Sequence, residues 1–490
     1  MSLAVSIPLP RVATDVFLPY TGLVVTLAML FGGGGNQEWS DAVVQLAALP
    51  LLAWALFKLS PSQLGRTGQW AIVLLCGILA LPLLQLVPMP PSLWSGLPGR
   101  GEIVAAYQAA GMTLPWLPLS LEPSGTWLGL LSLLPATAVF LAMLSVEQRS
   151  RRILIVLILV IVFASVLLDI LQVMGGEDSA LRFYAVTNRD RAVGFFANSN
   201  HNAAFLYCAI PFVAAWAIGL VQDHRRNRAT GLALLSLLMV VVIIGIAVAQ
   251  SRAGMGLLLV AGLSALLLAW RHGRGQSGRR LLYVAIGVTL ATLLLAFQVG
   301  FVGFMQRVEH QGIGDQRWPV AQVTVRAAIA NMPFGTGMGS FAPVYEKFAP
   351  RTLLVDQNRY LNHAHDDWLE LWLTGGVPAI LLVLGFLAWL TFSTYRWWSS
   401  AQQQGPVLDL ALARAAPIVI ILLLLHSVVD YPLRIPTVSV LFAIACAYLI
   451  PRRRSKDEMS ARVAISHPGP GGSREPLLDI DTIYFIYIED

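Results

Sequence analysis

Apolar residues run through the chain in long, unbroken stretches separated by short polar segments, with little of the strict alternation that marks half-buried strands. No water pairs the backbone inside a bilayer, so each crossing must be a helix or part of a closed barrel, and runs of this length predict helices. Stretches near the length needed to cross about 30 Å of hydrocarbon fall at 13–33, 41–58, 69–88, 125–145, 152–174, 202–220, 231–250, 252–270, 281–301, 377–393, 412–429 and 436–450. The expectation is an all-α integral membrane protein of about twelve transmembrane helices, with a large outer loop of short helices at about 302–376.

Within that loop the pattern predicts helical pieces at 317–332 and 341–348, broken by Pro333 and the glycines of FGTGMGSF. That glycine stretch contains G-x-G but follows no strand, so it reads as a turn rather than a dinucleotide fingerprint. Residues 89–124, rich in Pro, Trp and Leu, predict an interfacial segment. The tail, 455–490, is polar and predicts disorder, leaving 1–454 as one polytopic membrane domain.

Composition agrees: 56% of the 490 residues are hydrophobic and 12% charged, too apolar for a soluble globular domain. The formal charge of +6 does not indicate nucleic acid, because the basic residues are dispersed among short loops. Lys58 and Arg66; Arg149, Arg151 and Arg152; Arg225, Arg226 and Arg228; Arg271, Arg274, Arg279 and Arg280; Arg396; and Arg452, Arg453, Arg454 and Lys456 follow the even-numbered stretches in turn. Basic loops mark the cytoplasmic side, which predicts both termini in the cytoplasm and the 302–376 loop outside. The N-terminus lacks a basic start and a small-residue cleavage site, so the first helix is expected to stay as an anchor. Cys76, Cys208 and Cys446 lie in apolar stretches without ligand-like spacing and indicate neither disulfides nor zinc.

Candidate chemistry collects in four places, all on the expected outer side. In NRDRAVGFFANSNHNAAF, Arg189 and Arg191 precede a helix start bearing Asn198, Asn200, His201 and Asn202. Guanidinium forks and a helix N-terminus both suit phosphate; lipid headgroups or Asp190 are the other partners available to the arginines. In QSRAG, Arg252 sits at the membrane edge, either lining a polar site or snorkelling. RYLNHAHDDWLELWLTGG places His363, His365, Asp366 and Asp367 at a helix mouth. There a histidine beside a carboxylate can act as a general base; H-x-H-x-D also resembles part of a metal-ligand set, whose remaining members are not evident. In HSVVDYPLRIPT, His426 and Asp430 are spaced to share one helix face, either shaping the same cavity or pairing at the helix end, and Arg434 follows.

At RAVGFFANSNHNAA, QSRAG, PFGTGMGSFAPVY and NHAHDDWLELWLTGGVPAIL, with HSVVDYPLRIP and SLEPSGTW in support, the sequence resembles the O-antigen ligase and polymerase family of bacterial membrane glycosyltransferases. The resemblance runs in order from about 120 to 450. It implies a GT-C type enzyme of the bacterial inner membrane, working at the periplasmic face without a metal or other cofactor. Such an enzyme moves a glycan from undecaprenyl pyrophosphate to an acceptor hydroxyl. By motif, Arg191 and Arg252 would hold the pyrophosphate, with Arg189 as a neighbour, and His365 would act on the acceptor hydroxyl, with His363 beside it. Asn198, Asn200, Asp367 and Asp430 would support them. The family commonly has His-Asn-Asp where this chain has His365-Asp366-Asp367, which leaves open which histidine is catalytic.

The chemistry is consistent with these residues independently: pyrophosphate is already a good leaving group, so the enzyme needs cations for the departing charge and a base at the nucleophile. Within the family, lipid A–core marks a ligase, a growing glycan a polymerase in O-antigen or exopolysaccharide synthesis, and a protein an O-oligosaccharyltransferase. From another class, a secondary transporter shares the helix count and would need intramembrane acids such as Asp169 for coupling.

Overall fold

The long apolar runs form helices whose outward faces remain apolar. On the helix Gln148–Met174, for example, Ile153, Val156, Val160, Leu167 and Leu171 are exposed while Leu154, Ile158, Val162 and Val166 are buried. That division fits a helix with protein on one side and lipid on the other.

The computed structural model describes residues 16–34, 39–59, 64–222, 228–272, 317–355, 361–399 and 406–451, with isolated helical positions between 286 and 298. In chain order the described elements are α1 (Phe17–Phe31), α2 (Trp39–Lys58), α3 (Gly65–Gln85), β1 (Pro88–Met89), α4 (Pro91–Trp94), α5 (Gly101–Ala109) and β2 (Leu117–Pro118). Next come α6 (Pro123–Ser132), α7 (Leu134–Ser145), α8 (Gln148–Met174), α9 (Ser199–Gln222), α10 (Arg228–Ala249) and α11 (Arg252–His272). Then follow α12 (Arg317–Ala330), α13 (Phe341–Phe348), α14 (Arg351–Val355), α15 (Asp367–Ser399), α16 (Val407–His426), a 3-10 turn (Pro432–Arg434) and α17 (Pro436–Tyr448).

Among the described residues, nine helices are long and apolar enough to cross a membrane, α6 and α7 together making one of them. This is a multi-pass, all-α membrane protein. Two more of the expected crossings, α1 and α17, are apolar helices of 15 and 13 residues, shorter than a full span. The stretch 281–301 lies essentially outside the described residues, as does the tail 455–490. The helical pieces expected in the outer loop are present as α12 and α13. Where the interfacial segment 89–124 was expected, residues 88–118 form the two-stranded β1–β2 pairing, with Pro88 opposite Pro118, around α4 and α5.

α9 is the most enclosed span and packs against α10, α11 and α16, burying Phe205, Tyr207 and Phe212. Polar anchors mark the two ends of this core differently. At the start of α8, Arg151 donates to the carbonyls of Met143, Ala447 and Ile450, and Arg152 holds Asp409 at 2.6 Å. At its far end, Asp169 accepts from Asn202 at 2.8 and 3.0 Å, and Gln172 donates to Gly194 O at 2.9 Å. Arg151 and Arg152 thus anchor one end of α8, and Asp169 and Gln172 the other.

α15 is one continuous element only by hydrogen bonding, because Gly376 has φ 58° and ψ −148°. Only glycine adopts that conformation without strain, and Pro378 then opens the second segment, where a missing N–H costs nothing. The break is held by the glycine loop. Gly335, Gly337 and Gly339 all have positive φ, and the Thr336 and Gly337 N–H groups donate to Leu373 O and Thr374 O at 3.0 and 2.9 Å. Gln85 ties the same region, donating to Thr374 O and accepting from Met338 N–H, both at 2.9 Å. Thr126 of SLEPSGTW donates to Met338 O at 2.6 Å. A Cβ on Gly376 would meet Pro333 O at 2.2 Å. Gly376→Ala is therefore expected to destabilise the protein by about 2 kcal/mol, visible as a lowered thermal midpoint in detergent; an unchanged midpoint would show that the break relaxes freely.

Candidate active site

α16 stops at His426, and the chain turns through 427–430 before Pro432 starts the 3-10 turn. His426 and Asp430 were expected four apart at the helix end, and the turn after α16 keeps them neighbours, with Asp430 N–H donating to His426 O at 3.0 Å. Their side chains take different partners: His426 Nδ1 meets the Tyr207 hydroxyl at 2.7 Å, while the Asp430 carboxylate gathers the set described next.

Asp430 is fully buried and is the centre of the cluster. Its Oδ1 accepts from His365 Nδ1 at 3.1 Å and from Tyr431 N–H at 3.0 Å, and its Oδ2 accepts from Asn200 Nδ2 at 2.6 Å. His201 Nε2 and the Arg317 guanidinium each approach to 3.9 Å. Burial alone would raise this carboxyl's pKa; the His365 hydrogen bond and the nearby histidines outweigh it and hold the group below the ordinary carboxylate range. Asn200 Oδ1 in turn accepts from Ser251 Oγ at 2.8 Å. A single line, Ser251–Asn200–Asp430–His365, therefore joins four segments far apart in sequence.

The local backbone serves this line. Asn198 Oδ1 accepts the Asn200 N–H at 2.9 Å at the start of α9, and Asp366 Oδ1 accepts Trp368 N–H and Leu369 N–H at 2.9 and 3.0 Å at the start of α15. Both are N-caps, the usual use of short polar side chains before an apolar helix. His365 has φ 52°, a left-handed conformation unfavourable for a residue with a Cβ and tolerated where surrounding contacts hold it.

A second histidine is built alike. His363 Nδ1 lies 3.0 Å from Glu370 Oε1, and Glu370 also accepts Ala364 N–H at 2.8 Å and the Arg434 guanidinium at 3.2 Å. Arg434 bridges to Asp367 at 3.0 Å, and Asp367 further accepts Ser427 Oγ at 2.9 Å. Tyr431 lies between the histidines, its ring centroid 4.4 Å from His363, 5.1 Å from His365 and 4.9 Å from His201. Burial, Asp430 and Glu370 push the Tyr431 phenol well up, so its hydroxyl stays neutral beside Asn198 and Asn362.

The arginines are placed unequally. Arg252 opens α11 directly after Ser251, with its side chain exposed. Arg191 sits in a loop tied to the same place, since Ala192 N–H donates to Val248 O at 3.4 Å and Arg182 donates to Arg191 O at 2.8 Å. Its own guanidinium meets Asp190 at 3.1 Å. Arg189 instead reaches Asp178 at 3.2 Å, in a pair too exposed to contribute much.

Of the expected residues, the structure thus joins Asn200, His365 and Asp430 directly, and brings Asn198 and His363 to them through Tyr431. Asp367 supports Arg434 rather than His365. Glu370, Tyr431 and Arg317 were not anticipated. A lone acid in the apolar stripe WLELW was the available signal for Glu370. Among the described residues, no three His, Cys, Asp or Glu side chains are grouped to hold a metal ion.

Residues 234–384 match the family model for O-antigen ligase. There the chain resembles the O-antigen ligases. No curated protein matches it. The ligase-like segment runs from α10 into the second part of α15 and contains Ser251, Arg252, Arg317, His363, His365 and Glu370. Asn200, Asp430 and Arg434 lie outside it and join through the fold. The match supports membrane glycosyltransferase activity of the O-antigen ligase/polymerase type, with a lipid-linked glycan and an acceptor as substrates in general.

Proposed function

We propose that this protein transfers a glycan from undecaprenyl pyrophosphate to an acceptor hydroxyl at the periplasmic face of the bacterial inner membrane. It acts most like an O-antigen ligase, with lipid A–core as the acceptor. The observation that carries the proposal is the His365–Asp430 pair, 3.1 Å apart, joined through Asn200 to the residue beside Arg252. A carboxylate only accepts, so Asp430 fixes the proton on His365 Nδ1 and leaves Nε2 with a lone pair, the form a general base requires. The acceptor oxygen attacks the anomeric carbon, and its proton passes to His365 Nε2. The bond to pyrophosphate breaks, and the electron pair leaves on the phosphate. Arg252 and Arg191 lie on the two segments that meet at 192 and 248, where their charge would stabilise that leaving group.

The already activated leaving group and the charge of the two arginines favour catalysis without a metal. Purified protein, undecaprenyl-pyrophosphate oligosaccharide and lipid A–core in EDTA provide the test. Transfer is expected to survive EDTA and to fall roughly a hundredfold in Arg191→Ala and in Arg252→Ala, with Arg189→Ala close to wild type. Activity lost in EDTA and restored by a divalent cation would overturn metal independence. No transfer by folded wild type to lipid A–core, a growing glycan or a protein acceptor would overturn the enzyme assignment.

A further inference from the structure

His363 has no part in the transfer step above, yet it is built like the histidine that does. Glu370 accepts three N–H donors, from His363 Nδ1, Ala364 and Arg434, as a carboxylate does. The His363 ring proton is thereby committed to Nδ1, and Nε2 is left as a hydrogen-bond acceptor. Neither ring is sealed: the side chains keep 19% exposure at His363 and 29% at His365. Both stand against one Tyr431 ring, with centroids 4.4 and 5.1 Å from it. The two imidazoles are therefore neighbours in one cluster, packed on a shared support.

We propose that His363 determines acceptor specificity by accepting a hydrogen bond, through Nε2, from a second hydroxyl of the sugar whose nucleophilic hydroxyl is held by His365. The proposal rests on the transfer reading above. Its chemistry differs from that of the base: no proton is transferred at His363, and Glu370 and Arg434 act as positioning residues that keep its tautomer and orientation fixed. The two roles divide cleanly in kinetics, since a binding contact acts on acceptor affinity and a base acts on turnover.

The experiment measures acceptor binding and transfer separately on the full-length protein in nanodiscs. Lipid A–core, and the free oligosaccharide of the donor, are titrated calorimetrically into donor-free wild type, His363→Phe, His363→Gln and His365→Gln; acceptor KM and kcat are then measured with donor. His363→Phe is expected to weaken binding of the preferred probe by about tenfold to a hundredfold, the range for a lost polar contact. His363→Gln, whose side-chain oxygen reaches the position of Nε2, recovers most of it, and in transfer the loss falls on acceptor KM rather than kcat. Unchanged affinity in His363→Phe, or a collapse of kcat with affinity intact, overturns the inference, as does failure of the wild type to bind either probe. Wild-type binding that depends on His363 without any transfer upholds the hydroxyl contact at His363 and overturns the transfer reading.

Discussion

Asp430→Asn is expected to lower kcat by about a thousandfold to ten-thousandfold while leaving the fold intact. The change is isosteric, but Asn carries N–H groups where Asp430 only accepts. Three donors converge on this carboxylate, from His365, Asn200 and Tyr431. An amide can satisfy at most the two on one oxygen and must turn an N–H towards the other. If that N–H meets His365 Nδ1, the ring proton moves to Nε2 and the base is lost. The double variant Asp430→Asn/His365→Ala is expected to fall little further than either single change, because the two act as a unit. Steady-state transfer measures this, with thermal unfolding as the check on folding; a rate within tenfold of wild type would remove Asp430 from the mechanism. Acidity provides a second check. The folded carboxyl is depressed, so the stability it contributes is complete above its unfolded value of about 3.9 and is lost only as pH falls through the lower folded value. Loss of activity between neutrality and about pH 4 therefore has a source other than protonation of Asp430.

Glu370→Ala is the substitution expected to cost most stability, about 3–5 kcal/mol. Glu370 is 1% exposed, and its removal strands three groups at once: the His363 ring N–H, the Ala364 N–H and one side of the Arg434 fork. Arg434 would retain only Asp367, at 3.0 Å. A partly buried cation left half-paired is more damaging than no cation, so Glu370→Ala/Arg434→Leu is expected to recover part of the loss. Thermal or denaturant unfolding in detergent measures both. A loss below about 1 kcal/mol for Glu370→Ala would show that water replaces the carboxylate at little cost.

The helices were legible because crossing a bilayer demands long apolar runs, and such runs survive in sequence whatever the packing. Their ends were less so. A crossing was expected at 377–393 and a helix opening at the His363–Asp367 motif; the structure joins the two into α15, which runs from Asp367 across the kink at Gly376. Individual site residues could also be picked out, since Asn200 and His365 lie in polar clusters that interrupt apolar runs and Asp430 stands among apolar neighbours. Their connection could not: Asn200 and Asp430 are separated by 230 positions, and only the packing of α9 against α16 joins them. For His426 and Asp430 helical spacing gave the proximity but not the end of the helix: Asp430 N–H still reaches His426 O at 3.0 Å across the turn at 427–430, and no periodicity records where a helix stops.

The kink at Gly376 also has a mechanical consequence. Residues 377–399 alone give about 34 Å of helix, enough to match a hydrocarbon layer of about 30 Å. The turn above, carrying Asp367 and Glu370, is fastened instead to the glycine loop and to Ser427 and Arg434. A thicker or thinner bilayer acts on the lower segment by changing its tilt. Pro333 O also accepts Val377 N–H at 2.8 Å, so the lower segment tilts from a held point, and the change is greatest at the end farthest from the histidines.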